Sequence, residues 1–148
     1  MNLSTIEITA PDGTIVAMDW LLRAEPVHRQ LRPQLPPAYA TALERVFAGG
    51  GRMVVAVDGA DVVGVAVYRI FENTVSGRQL YVDDLVTDEH HRSRGVGRHL
   101  LTWLQARAQA QACKVLALDS GVQRRDAHRF YFREGLHIAS FSFRKPLD

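Results

Sequence analysis

The chain has 148 residues, the size of one ordinary domain, and its 47% hydrophobic and 23% charged content can fill a core and argues against a disordered chain. No apolar run approaches the roughly 20 residues needed to cross a bilayer, and Met1-Asn2-Leu3-Ser4 lacks the blocks of a signal peptide. The formal net charge of +2 is too small to argue for nucleic acid, and the single cysteine, Cys113, excludes an intrachain disulfide or a cysteine-cluster zinc site, which fits a reducing cytoplasm.

In chain order, Ile6–Thr9 alternates enough for a first strand, and Pro11-Asp12-Gly13 is a turn. Thr14 to about Leu22 fits a short helix, after which Pro26, Pro33, Pro36 and Pro37 are expected to interrupt regular structure. Ala38 to Ala48 carries Tyr39, Leu43, Val46 and Phe47 at helical spacing. Met53–Val57 and Val62–Phe71 read as a hairpin around Asp58-Gly59, and Arg78 to Thr87 as a further strand. Gly95 to Ala112 is a helix, with Val96, Leu100, Leu101, Leu104 and Ala108 on one stripe. Lys114–Leu118 is apolar on both faces and therefore expected to be a central strand. Arg124 to Glu134 is a last helix with Gly135 at its left-handed cap, and Leu136 to Arg144 alternates into a final strand. The order predicts one α/β domain over residues 1–148, with a mixed sheet of six or seven strands and about four helices.

The segment from Asp83 to Leu101 runs strand, short polar loop, helix, with Gly95 and Gly97 where the helix begins. A helix start presents unpaired backbone N–H groups and the positive end of the dipole. Glycines let an anion approach the backbone closely, and Arg92, Arg94 and Arg98 add positive charge. This suits a pyrophosphate. A dinucleotide fingerprint would need glycine or alanine where Leu100 stands, and a P-loop would need Gly-Lys-Ser/Thr. Taken alone, Gly-x-Gly is also what a tight strand–helix turn requires.

Arg92-x-x-Gly95-x-Gly97 after a strand ending Leu85-Val86-Thr87 resembles the acetyl-CoA signature of the GCN5-related N-acetyltransferases (GNAT). Leu116-Ala117-Leu118-Asp119-Ser120-Gly121, Ala127-His128-Arg129-Phe130-Tyr131 and Gly135-Leu136 resemble that family's later strand and helix. The resemblance covers about residues 80–140 and implies the GNAT fold, acetyl-CoA as co-substrate and no metal. It implies that backbone groups of Leu85, Val86 and Thr87 bind the pantetheine arm as an added strand would. It likewise assigns the pyrophosphate to main-chain amides of Arg92, Ser93, Arg94, Gly95, Val96, Gly97 and Arg98. Core packing alone also accounts for Leu85 and Val86, and the two readings are compatible.

Tyr131 matches the family tyrosine that reaches the thioester sulfur. A phenol, with a reference pKa of about 10, is close enough to a thiol's roughly 8.5 to act as general acid toward departing CoA thiolate. The plainer alternative is a buried anchor on an amphipathic helix. An acceptor ammonium must also lose a proton. Strand alternation sets Tyr81, Asp83, Leu85 and Thr87 on one face and Val82, Asp84 and Val86 on the other. The family resemblance puts the base on the face of Asp83; Asp84 is second, because a bulge would shift the alternation. Asp83 also suits binding of the ammonium group, and a structural role for both aspartates stays open. Where many members carry an asparagine this chain has Arg124, so Arg124 or Ser120 is the candidate for that cofactor contact.

His90, His91, His99, His128 and His137 show no metal-binding spacing and read as surface positions. Charge divides along the chain. Residues 1–88 hold 7 basic and 11 acidic side chains, net −4, and residues 89–148 hold 11 and 5, net +6. The basic half would meet the phosphates of CoA, and the acidic half a cationic primary amine, as a small molecule or a protein amine. The expected function is direct acetyl transfer from acetyl-CoA to such an amine in a ternary complex. A non-catalytic acyl-CoA-binding regulatory module, a small nucleotide-binding domain and transfer to a hydroxyl are the alternatives. Family members often dimerise, which keeps a homodimer open. Residues 20–40, where this fold builds much of its acceptor pocket, match no interpretable motif.

Overall fold

The β-branched runs between residues 53 and 87 form the longest strands of a five-stranded sheet. The computed structural model describes residues 1–148 and divides into two compact units, Met1–Ala117 and Leu118–Asp148. In chain order the elements are β1 (Leu3–Glu7), α1 (Met18–Leu31), α2 (Tyr39–Ala48), β2 (Arg52–Asp58), β3 (Asp61–Asn73) and β4 (Gly77–Thr87), a 3-10 turn at Glu89–His91, α3 (Val96–Ala110), β5 (Val115–Leu118) and α4 (Arg125–Arg133). No helix is long and apolar enough to cross a membrane.

The strands lie in the order β1-β2-β3-β4-β5, with antiparallel pairing from β1 to β4. The path from β4 to β5 passes through α3, the crossover that a parallel pair requires, so the sheet is mixed. Asp58 pairs with Asp61 across Gly59-Ala60, and Gly59 takes the left-handed conformation (φ +62°) that the Asp-Gly signal predicts.

Several expectations are corrected. The sheet has five strands, not six or seven, and 136–144 forms no strand. Alternation makes a strand only where one face is buried; here Ile138, Phe141 and Phe143 are all well exposed. β5 is the last strand of the sheet rather than a central one, with Val115 partly exposed. The first strand lies at Leu3–Glu7, paired with β2, instead of Ile6–Thr9. α1 starts at Met18 and runs through Pro26 to Leu31. Pro26 is exposed, and so is Leu22, whose carbonyl would have bonded the missing N–H, so the gap in the ladder faces water.

Helices cover both faces of the sheet. Leu21, Ala24 and Val27 of α1 pack with Leu43 and Phe47 of α2 against Met53, Val55, Val65, Val67 and Val86. α3 lies on the opposite face, where Gly64 of β3 leaves room for Val96 and Leu100. A Cβ at position 64 would stand 2.6 Å from Val96 Cγ1 and 2.9 Å from Leu100 Cδ1, both fully buried. Gly64→Ala is therefore expected to lower the urea-unfolding free energy by about 1–3 kcal/mol. An unchanged value would mean that α3 is not seated on this glycine.

Candidate active site

β4 contains a bulge that decides where its carboxylates point. Val67 of β3 pairs with Asp84 while the next residue, Tyr68, pairs with Val82, so Asp83 is the extra residue. Directly opposed residues share a face. Asp84 and Val86 therefore lie with Val67 and Val65 on the α1 face, and Tyr81 lies there with Arg69. Leu85 and Thr87 turn to the α3 face, the reverse of their grouping with Tyr81 by simple alternation.

Asp84 is clamped from α1. His28 Nε2 lies 2.6 Å from Asp84 Oδ2, and Arg32 Nε donates to Oδ1 at 2.8 Å. Arg32 also donates to the Asp83 carbonyl (3.0 Å). Burial works to raise the Asp84 pKa, but the hydrogen bond and charge of His28 and those of Arg32 outweigh it and hold the carboxyl below its ordinary value of 3.8. An ionised carboxylate only accepts, so His28 Nε2 donates. On its other side the ring's Nδ1 lies 2.8 Å from the Tyr39 hydroxyl oxygen. Burial raises the Tyr39 pKa and keeps that phenol protonated. His28 itself is 1% exposed.

Asp83 is more open, with 31% of its side chain exposed against 14% for Asp84. Arg69 grips it with two parallel bonds, Nε to Oδ2 at 2.7 Å and Nη2 to Oδ1 at 2.8 Å. The guanidinium also lies over the rings of Phe71 (5.1 Å) and Tyr81 (5.4 Å). A carboxylate offers about four lone-pair sites, so the Arg69 fork leaves Asp83 able to accept from a further cation.

Beyond the bulge, β4 outruns β5. Lys114 N–H donates to the Arg78 carbonyl (2.8 Å), which places the start of β5 beside the start of β4. β5 has 4 residues against 11 in β4, so Leu85, Val86 and Thr87 extend past it. Asp88 N–H donates to the Val63 carbonyl (2.8 Å). By alternation Val86 also faces β3, and Leu85 and Thr87 direct their backbone groups to the uncovered edge.

The chain then enters α3. Gly95 is its N-cap in the left-handed conformation (φ +85°), and Ser93 is left-handed too (φ +62°). The first intrahelical bond runs from His99 N–H to the Gly95 carbonyl (2.9 Å), so the amides of Val96 and Gly97 lie ahead of the ladder, with no side-chain cap. Nothing lies within 4 Å of a Cβ built on Gly95, and Arg92, Ser93 and Arg94 are exposed. This arrangement can bind an oxyanion.

In the second unit, Tyr131 is buried on α4 (8% exposed). Burial raises its pKa above the ordinary 10.0, against the opposing charge and hydrogen bond of Arg124. α4 ends as expected, with Gly135 left-handed (φ +89°) and Leu136 N–H returning to the Tyr131 carbonyl (3.0 Å). Ser120 Oγ is buried without a hydrogen-bond partner. No group of three or more His, Cys, Asp or Glu side chains converges as a metal site.

Sequence reasoning missed His28, Arg32, Tyr39 and Arg69. The signal for His28 was its place on the stripe of Leu21, Ala24 and Val27, where a histidine is buried and needs partners. His91, read as a surface position, is half-buried and bonds Asp88 at 2.6 Å.

The sequence profile of the acetyltransferase (GNAT) family matches residues 15–136. The uncharacterized N-acetyltransferase YhdJ of Bacillus subtilis (strain 168) is 43% identical over 72 residues, 48% of this chain and 51% of that protein. The aminoalkylphosphonate N-acetyltransferase of Salmonella typhimurium (strain LT2) is 36% identical over 66 residues, 45% of this chain and 43% of that protein. The chain thus spans about half the length of these curated relatives. In fold it resembles the aminoglycoside N-acetyltransferase AAC(6')-Iy, solved in complex with CoA, with a TM-score of 0.81 at 17% identity, covering 97% of this chain and 95% of that one.

The lowered pKa of Asp84 gives a pH signature. A depressed carboxylate contributes stability above its unfolded value, and that contribution is lost as pH falls through the folded value. The unfolding free energy is expected to decline from about pH 5 to about pH 3, and less steeply in Asp84→Asn. Equal slopes would exclude this linkage. His28→Ala, which strips a partner from a half-buried carboxylate, is expected to cost about 1–3 kcal/mol at neutral pH.

Proposed function

The chain belongs to the GNAT family of acetyltransferases, and from that premise we propose that residues 1–148 act as one catalytic domain that moves an acetyl group from acetyl-CoA to a primary amine. The observation that carries the reading is the juxtaposition in one stretch of chain of an uncovered strand edge at Leu85–Thr87 and an open, glycine-capped helix start at Arg92–Arg98. Backbone groups of Leu85 and Thr87 bind the pantetheine amides as a neighbouring strand would. Amides from Arg92 to Arg98 hold the pyrophosphate, and the exposed Arg92 and Arg94 add charge. Ser120, whose buried hydroxyl lacks a partner, and Arg124 are the proposed substitutes for the family's asparagine contact.

The acceptor arrives as an ammonium ion. Asp83 holds it through the lone pairs that Arg69 leaves unused, and takes up its proton through water. Asp84 is an anchor rather than the base, because it is clamped between two α1 side chains with 14% of its own side chain exposed, against 31% for Asp83. The amine then attacks the thioester carbonyl directly, and backbone N–H groups near Val86 polarise that carbonyl. Tyr131, in the role carried over from the family, gives its proton to the departing thiolate. Its raised pKa keeps that proton in place through the neutral range. The names of the two curated relatives support an amine acceptor, and the proportion of each that is matched makes its identity part of the proposal.

The test is thiol release from acetyl-CoA against a panel of amines. Turnover is expected with at least one cationic primary amine, and cofactor binding without turnover across the panel would favour a regulatory module. Tyr131→Phe is expected to lower kcat by about 10²-fold or more with little change in the KM for acetyl-CoA. Unchanged kcat would remove Tyr131 as the acid. No alkaline loss of activity is expected from Tyr131 below its ordinary pKa of 10.0, because its acid form is the one required.

A further inference from the structure

At the far end of the α3 face, three guanidinium groups meet around a cavity of about 210 Å³ lined by Arg52, Arg78, Arg107, Glu7, Tyr68 and Ile70, among others. The cavity is distant from the proposed pyrophosphate site. It touches Gln111, just beyond the end of α3, which at about 1.5 Å per residue is roughly 22 Å from Val96. Arg78 likewise stands at the opposite end of β4 from Leu85–Thr87.

The charge in this cavity is not balanced. Arg52 donates through Nε to the Pro11 carbonyl (2.9 Å) and through Nη1 to those of Phe47 (3.1 Å) and Gly51 (2.6 Å), all neutral acceptors. Arg78 donates through Nε to the Gln111 carbonyl (2.6 Å) and through Nη2 to its side-chain oxygen (3.4 Å), neutral again. Only Arg107 meets a carboxylate, donating through Nη2 to Glu7 at 2.5 Å while its guanidinium stacks on Trp103. Glu7 is the one acidic residue lining the cavity, so three cations face one anion, a net of +2. Each guanidinium carries five donors. Nη2 of Arg52, Nη1 of Arg78, and Nε and Nη1 of Arg107 are left without hydrogen bonds.

Tyr68 adds a fourth donor. Its ring is 5% exposed and packs edge-on to Trp103, and its phenol bonds no protein group. Tyr68 lines the cavity together with Arg107, Glu7 and Arg52, and burial raises the phenol's pKa against the opposing charges of the two arginines. Ile70 and Pro11 supply an apolar wall. A water takes about 30 Å³ of liquid volume, so the cavity has room for several waters or for a carbon skeleton bearing charged ends.

We propose that Arg52, Arg78, Arg107 and Tyr68 form a binding site for a small organic dianion, a dicarboxylate or a phosphate monoester, separate from the acetyl-transfer site. Forked guanidinium donors match the planar carboxylate and the phosphate oxygens. The phenol supplies a neutral donor, and the apolar wall meets the short carbon body. The site consumes nothing and makes no covalent bond, and its occupation stabilises the folded chain by mass action.

Calorimetry and thermal melts with succinate and with glycerol phosphate test this on the full chain. Saturable binding of at least one of them, with Kd below about 10 mM, and a matching rise in Tm are expected. Arg78→Gln, at a half-buried position, is expected to weaken that binding at least about fivefold, as is Tyr68→Phe, which keeps the ring and removes the donor. Arg94→Gln, at the start of α3, is expected to leave it unchanged. Absence of saturable binding by both anions overturns the proposal. So does binding that Arg94→Gln abolishes while Arg78→Gln spares it, because the anion then sits at the helix start.

Discussion

The bulge at Asp83 is the constraint on which the candidate site rests. One extra residue in β4 brings two consecutive carboxylates to the face covered by α1, where an unmatched charge is costly. Asp84 is matched by His28 and Arg32, and Asp83 by Arg69. Hydrophobic contact by itself is non-directional. The stripe of Leu21, Ala24 and Val27 brings α1 to the sheet, and the polar clamp sets where along β4 it stops. Because His28 also bonds Tyr39, the same clamp reaches α2. The helices expected to wall the acceptor are thus located by a hydrogen-bond chain that a slip of one turn would break.

The strand that carries the carboxylates also supplies the proposed cofactor contacts. Along β4 the order is Asp83, Asp84, then Leu85–Thr87 at an edge that β5 does not reach, then the loop into α3. The charge division of the chain falls at this point, with carboxylates before residue 88 and arginines from residue 92. An acyl donor rich in phosphate and a cationic acceptor would be drawn to opposite ends of one short segment, so a single strand–loop–helix unit would set their relative position.

The two polar clusters of the first unit obey different logic. Around Asp84 every charge has a partner, and the arrangement serves to hold α1. Around Tyr68 the guanidinium groups of Arg52 and Arg78 are held by neutral carbonyls and only Arg107 meets a carboxylate, so positive charge is left over beside a cavity. Carbonyl contacts orient a guanidinium without neutralising it, so Arg52 and Arg78 brace the surrounding turns and still attract an anion.

Where pattern is local, the sequence was legible. The stripe of α3, the Asp-Gly hairpin, the glycine closing α4 and the strand–loop–helix grammar around Gly95 all stand where spacing and turn chemistry put them. The alternation of Leu136–Arg144 misled because no buried face holds it, and β5 misled because an apolar strand does not reveal whether it has one neighbour or two. His28 was readable only as a polar interruption of an apolar stripe. The sequence by itself determined the family signature, the helices and the hairpin, since these depend on residues within a turn or two of one another. Only the tertiary structure decided that Asp83 bulges, that Asp84 is clamped from α1, and that Arg52, Arg78 and Arg107 converge. Register, burial and the pairing of charge are set by partners tens of residues apart, and no local pattern records them.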